Sequence, residues 1–486
     1  MAIWPAFCGG FYKSLSPVIA SDTAINVYTE TREVPGSPKT VTMIGTPGLL
    51  LDATVATLAC RGWFSQDGRT WVVVGDTLYE RTAAATYTSR GTIPDDGNPV
   101  SFASNGAGGD QLGVVGGGEL NVLNLTTNAV TTPVLPFSDP VMIAFLDGYG
   151  LINQEDTPTV WFSALENFSS WDALDFFSRS GTSDNIVGIT ISRDRVWCLG
   201  SKTSTLFYDS GDADTPFVPY PGTAFQTGLV NPWLLWVEGD VLYWVAESNE
   251  GERRVVKATE AQPETISTPP IDLFIERCTT LDDARLIGYE QIGHTFIVIS
   301  CPSSPDDVQT YAFDARENLW HARAGWDTGA GIYTRWRASG AVVTNGQVFV
   351  GDYQTGDLYE LDINTFADNG VILKRERAAP YLSDENQVVF VDQFELGMQA
   401  GVGISSGQGS DPTVNLEISR DGARTWVDCG TAGLGAQGEY EARAIWRQLG
   451  SARADRLVFR VTQTDPVRCV WGPGAWLRIQ PGTGQR

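Results

Sequence analysis

The chain holds only two histidines, His294 and His321, so any imidazole-based acid–base chemistry or nitrogen-ligated metal would have to pass through them. A structural zinc centre needs about four ligands at short spacing. These two stand 27 residues apart, and the sequence has no Cys-x-x-Cys. His294 opens the apolar run 295–300 and His321 lies between Trp320 and Ala322, so both read as structural side chains. Gly403-Ile-Ser405-Ser-Gly407 has the spacing of a nucleophile elbow. That device works only as a strand-to-helix turn with an acid and then a histidine further along the chain. Both histidines precede Ser405, and the surrounding glycines suggest a hairpin. Asp209, Asp212 and Asp214, and the pair Asp306 and Asp307, lack the twelve-residue calcium loop with its central Gly and final Glu, and read as solvated loop charge. No glycine-rich phosphate cradle leads into a helix. The expectation is a chain with no catalytic, cofactor-binding or metal-binding residue.

Two stretches resemble the Asp box, the hairpin signature Ser-x-Asp-x-Gly-x-Thr-Trp of sialidase-type propellers. The closer is Ser419-Arg-Asp421-Gly-Ala-Arg-Thr425-Trp426, and the looser is Ser65-Gln-Asp67-Gly-Arg-Thr70-Trp71. The mechanism of the box is structural. Its Asp accepts backbone N–H groups, its Gly takes a positive φ and its Trp packs beneath. Ala423 stands where the box has Gly, and Gly422 comes one place early. Ser419, Asp421, Thr425 and Trp426 are therefore expected to make a structural turn. A sialidase would further need three arginines converging on a carboxylate and an activated tyrosine, a set the sequence does not assemble.

The elements that carry these residues must come from 486 residues with 58 acidic and 33 basic side chains, a net charge of −25. With 42% apolar and 19% charged residues the chain is globular, and it is too long for one ordinary core. Gripping nucleic acid requires neutralising phosphates, so stable binding to DNA or to an anionic membrane is not expected. Residues 1–10 lack a basic start and a continuous apolar run, unlike a secretory signal. The most apolar stretch, 229–246, is broken by Glu238 and Asp240 and does not read as a membrane span. The seven scattered cysteines read as buried reduced thiols of a chain folded in a cytosol.

Helical periodicity is nearly absent; 162–177 and 282–287 are too irregular or too short. Strand–turn–strand patterns recur instead, as in Trp71-Val-Val-Val-Gly-Asp-Thr-Leu-Tyr-Glu80. A turn followed by an outer strand begins near Asp76, Gly118, Pro158, Ser204, Arg253, Asp307 and Gly356, at spacings of 42, 40, 46, 49, 54 and 49 residues. A propeller blade of four strands takes about 40–50 residues. The period thus predicts an all-β propeller of about seven blades, with two or three successive β-sandwiches as the alternative. Residues 1–370 carry 20 basic and 45 acidic side chains, whereas 371–486 carry 13 of each. That shift places a boundary near 370. Residues 1–370 are expected to form the propeller, with 1–50 as an extended N-terminal segment and ring closure. Residues 371–486 are expected to form an antiparallel β-sandwich, with strands at 388–398, 413–418, 425–429, 442–446, 457–462 and 476–479.

Several blocks resemble the tail hub family of short-tailed bacteriophages, also called packaged-DNA stabilisation or head-completion proteins. They are Ile25-Asn26-Val-Tyr28-Thr-Glu30 with Gly45-Thr-Pro47-Gly48-Leu49; Asp184 to Tyr208, with its Ile-x-Gly, Arg193-Asp194 turn and Gly200-Ser201; and Trp446-Arg-Gln-Leu449-Gly450-Ser-Ala-Arg453 with Leu457-Val-Phe-Arg460-Val461-Thr. The stretches 212–228 and 405–412 depart from the family pattern. The resemblance implies a non-enzymatic structural virion protein, a hub or nozzle forming a ring of six copies below the portal and adaptor rings. It would close the DNA channel, stabilise packaged DNA and dock a tail needle or tip and tailspikes or fibres. DNA would pass through without specific binding. The location implied is the virion tail, with assembly in the host cytoplasm. The alternative is a sialidase-like or glycan-binding propeller of a phage tail, marked by an arginine and carboxylate cluster at the propeller mouth.

Overall fold

The computed structural model describes residues 2–16, 20–33, 39–181, 183–213, 215–260, 262–380 and 387–481. Asp214, of the Asp209, Asp212 and Asp214 loop, lies outside them. The apolar runs of the sequence become the second strands of seven four-stranded antiparallel sheets. Arg69–Val74, Gln111–Gly116, Tyr149–Gln154, Arg195–Gly200, Val241–Glu247, His294–Ser300 and Gln347–Asp352 are buried along most of their length. A strand covered on both faces has no reason to alternate polar and apolar residues. Here the covering comes from the neighbouring blades.

The first six blades occupy 60–92, 101–131, 140–178, 186–225, 235–265 and 285–322, and the seventh takes three strands from 338–362. Their innermost strands are neighbours around a closed circuit, with Ala338–Thr344 of blade seven returning to Cys60–Gln66 of blade one. The outer strand of blade seven is Gly48–Thr54, antiparallel to Asp357–Asp362 with Leu49 opposite Leu361. Chain from the N-terminal side thus closes the ring. Separate apolar cores lie between successive blades, for example Trp71, Val73, Val114 and Leu123 between blades one and two. Each blade therefore depends on its neighbours for burial. The seven turns singled out by period all lead into third strands, such as Thr77–Ala83, Arg253–Ala258 and Asp357–Asp362. The outermost fourth strands are less legible in the sequence because water covers them: Thr86–Thr92 has no buried residue.

One helix of two turns, Pro269–Arg277, joins blades five and six, with Pro270, Ile271, Phe274 and Ile275 buried. It goes beyond the sequence expectation, although prolines at its start and apolar residues at i, i+3 and i+4 mark it.

The C-terminal sheets form the sandwich, and the strands Ala2–Trp4, Ser21–Ile25, Val27–Arg32 and Thr40–Gly45 belong with them. One layer orders Ser21–Ile25, Arg375–Pro380, Val458–Gln463, Thr413–Ser419 and Val427–Gly433. The other orders Val27–Arg32, Thr40–Gly45, Val470–Pro481, Val388–Met398 and Ala444–Arg447, with Ala2–Trp4 along Val470–Pro481. The first fifty residues are thus not one extended segment of the propeller. They divide at Gly48, because the strands before it carry apolar side chains such as Phe7, Ala24, Val27 and Met43 into the sandwich core. Ser21–Ile25 also touches the outer strand of blade six, with Ile25 parallel to Ala322, so that blade and one sandwich layer make a single ten-stranded sheet.

Candidate functional site

The turn predicted at Ser419 sits in the sandwich, between Thr413–Ser419 and Val427–Gly433. The Asp421 carboxylate accepts the backbone N–H groups of Arg424 at 3.0 Å and Thr425 at 2.9 Å, and the hydroxyl of Thr425 at 2.6 Å. The Ser419 hydroxyl donates to Asp421 at 2.8 Å and accepts the N–H of Ala423 at 2.8 Å. These bonds, that from the Thr425 hydroxyl foremost, hold the Asp421 carboxyl well below its ordinary range. Gly422 and Ala423 both take positive φ, 75° and 67°, which accounts for the displaced glycine. Trp426 lies half-buried under the Arg460 guanidinium, 4.0 Å from its ring centre. The looser match differs: Asp67 and Gly68 form a two-residue turn with exposed side chains, and Ser65 donates to the carbonyl of Arg69. Ser405 is exposed in a loop without a following helix, 401–410.

Both histidines are buried where the propeller meets the sandwich. His294 Nδ1 lies 2.7 Å from Asp314 Oδ2. Arg323 Nε donates to His321 Nε2 at 3.3 Å. Burial, and then the Arg323 charge, hold His321 well below its usual pKa, so it is a neutral structural ring. Tyr28 packs edge-on against His294 and Phe296. Asn26, at positive φ, donates to the carbonyls of Ala324 and Lys374 and accepts the N–H of Ala324. Buried Arg377 donates to the carbonyls of Phe7, Gly10 and Thr23 and to Asp22. Asn26 and Tyr28 carry the opening block of the resemblance, and their work is to fasten blade six to the sandwich. Arg377 lacks any motif that would flag it. Among the described residues no three His, Cys, Asp or Glu side chains gather to hold a metal ion, and no helix is long and apolar enough to cross a membrane. The seven cysteines are free thiols, and all but Cys429 are buried.

A cavity of about 220 Å³ opens on the propeller axis, walled by the beginnings of the inner strands of six blades. Its lining includes Trp63, Phe64, Phe102, Trp233 and Trp236, two arginines, and no carboxylate, tyrosine or histidine. Arg61 is heavily engaged: four of its five N–H groups donate, to the carbonyls of Gly75, Pro94 and Asn98 and to Asp96. Arg285 is not. Its Nη1 donates to the carbonyls of Asp282 and Ala284 at 2.8 Å each, and its Nε and Nη2 donate to no group among the described residues. Burial, and then the Arg335 charge, push Arg285 down to about 10. A glycosidase needs paired carboxylates or an activated nucleophile, and this wall supplies neither. Sequence reasoning places no residue in this cavity, because its parts come from the inner strands of six blades spread along the chain.

Two family models match the chain: the β-propeller of bacteriophage P22 Gp10 over residues 8–366, and the β-sandwich of the same protein over 374–475. No curated protein matches. Among solved structures, the chain is similar to the extracellular domain of the one component system BT4673 from B. thetaiotaomicron, at 9% identity and a TM-score of 0.43, over 79% of this chain and 47% of that one. It thus spans about half the length of that structure. The WD40 domain of Neurospora crassa Pan2 matches at 10% identity and a TM-score of 0.41, over 65% of this chain and 95% of that one. The WD40 repeats of RRP9 match at 9% identity and a TM-score of 0.38, over 65% and 98%.

Proposed function

The chain belongs to the bacteriophage P22 Gp10 family in both its propeller and its sandwich, and from that membership we propose that it is a non-catalytic tail hub subunit working as one of six copies in a ring. The ring attaches below the portal-adaptor rings, helps close the DNA channel, retains packaged DNA, and docks a tail needle or tip and tailspikes or fibres. The virion tail is its location, and host cytoplasm the place of its assembly. The observation that carries the reading is the match of both domains in order. The charge supports it: an acidic surface facing the lumen of a ring repels phosphates, so DNA slides instead of sticking. The test is mass measurement and negative-stain imaging of the purified protein, alone and mixed with its adaptor protein. Rings are expected in the mixture; monomers under every condition would reject the hub, and an arginine-lined lumen would reject the sliding argument.

A further inference from the structure

The axial cavity is an electrostatic exception in a chain of net charge −25. Its lining carries Arg61 and Arg285 and no carboxylate; behind the wall, Asp96 pairs with Arg61, and Asp283 and Asp96 lie close enough to act on Arg285. Arg285 there keeps free the Nε–Nη2 edge, the side of a guanidinium that grips a carboxylate through two parallel bonds. Trp236 Nε1 is committed to Glu238 at 2.9 Å, and the Ser101 and Ser339 hydroxyls are bonded to backbone groups. The wall therefore offers an unpaired donor edge surrounded by flat aromatic faces, the usual make-up of a small-ligand site.

We propose that this cavity binds an acidic sugar residue, its carboxylate held on the Nε–Nη2 edge of Arg285 and its ring laid against the part-exposed indoles of Trp233 and Trp236. A carboxylate matches the single free guanidinium in charge. A phosphate dianion would remain under-neutralised, because Arg61 is already taken by Asp96 and three carbonyls. Aromatic walls offer C–H contacts to the faces of a pyranose and little to a peptide backbone. Without an acid or nucleophile in the wall, the sugar is bound and not cleaved. Such a site gives a tail subunit a contact of its own with a glycan-coated surface, independent of how the subunits assemble.

The test uses the full chain, isothermal titration and saturation-transfer NMR. The probes are methyl glycosides of glucuronate, galacturonate, N-acetylneuraminate and 3-deoxy-octulosonate, each beside its carboxyl methyl ester, with inorganic phosphate and an oligoglutamate peptide as competitors. At least one sugar acid is expected to bind and its ester to lose at least about tenfold in affinity. Arg285→Gln should lose as much while still melting in one cooperative step, since Arg285 is only part-buried and bonds only to the nearby carbonyls of Asp282 and Ala284. If that variant fails to fold, Arg285→Lys and Trp233→Ala provide the same reading. Binding of none of the four acids, equal binding of the esters, indifference to Arg285, or tighter binding of phosphate or the peptide each overturns the proposal. None of these outcomes bears on ring formation, so the hub reading is tested separately.

Discussion

Asp421 shows how one exposed carboxylate can order a turn through hydrogen bonds alone. Its folded pKa lies below the unfolded value of about 3.9. The stabilisation is therefore present above pH 4 and fades as acid protonates the folded carboxyl. Asp421→Ala is expected to melt below wild type at pH 7, with a gap that narrows toward pH 2, as read by thermal melts across that range. Asp368 has the opposite sign. Burial raises it to about 7 against the opposing charge of Arg375, so the folded chain holds a proton that the unfolded chain releases. Stability is full below pH 4 and declines as pH rises through 7. Asp368→Asn should raise the melting temperature at pH 8 and leave it unchanged at pH 4. A fall at pH 8 would show that the charge pair with Arg375 dominates. Sequence alone reveals the Asp421 turn because its partners are local. Asp368 and Arg285 owe their character to residues far along the chain, and no spacing rule reports that.

Among elements, the most consequential is the strand Gly48–Thr54, which completes blade seven from the far end of the sequence. Leu49 is buried in the core shared by blades six and seven. Leu49→Ala removes those contacts and leaves a cavity, so it should cost about 2–5 kcal/mol in denaturant melts. Leu50 on the exposed side of that strand is the control, and its replacement by Ala should change stability little. Deleting residues 1–60 removes the closing strand together with the N-terminal strands of both sandwich layers. Aggregates are expected by size-exclusion chromatography, and a soluble, cooperatively melting product would contradict the account. The repeat period exposes the third strand of every blade, since those follow Gly- and Asp-rich turns. It cannot show that Ala2–Trp4 and Thr40–Gly45 pair with Val470–Pro481, or Ser21–Ile25 with Arg375–Pro380, because strand pairing between distant segments leaves no local pattern.

For the whole molecule, charge dominates. Copies of −25 repel one another as they approach, and the Debye length of about 10 Å at 0.1 M salt sets how far that repulsion reaches. Assembly on an adaptor ring should therefore be more complete at moderate than at low ionic strength, as sedimentation velocity would report; assembly that weakens steeply with added salt would point to attractive charge pairs at the contacts instead. The class of fold is legible at this scale, from turns, period and the neutral tail. The joining of the two domains is not.

That joining governs how the protein can be made. Ser21–Ile25 needs Arg375–Pro380 beside it, Ala2–Trp4 needs Val470–Pro481, and the seventh blade needs both ends of its own circuit. During translation the earliest strands leave the ribosome with their partners still unsynthesised: the propeller waits for Asp357–Asp362 and the sandwich for Val470–Pro481. The nascent chain must carry exposed sheet edges for most of its synthesis, so a stalled ribosome would release a fragment that no later step can repair.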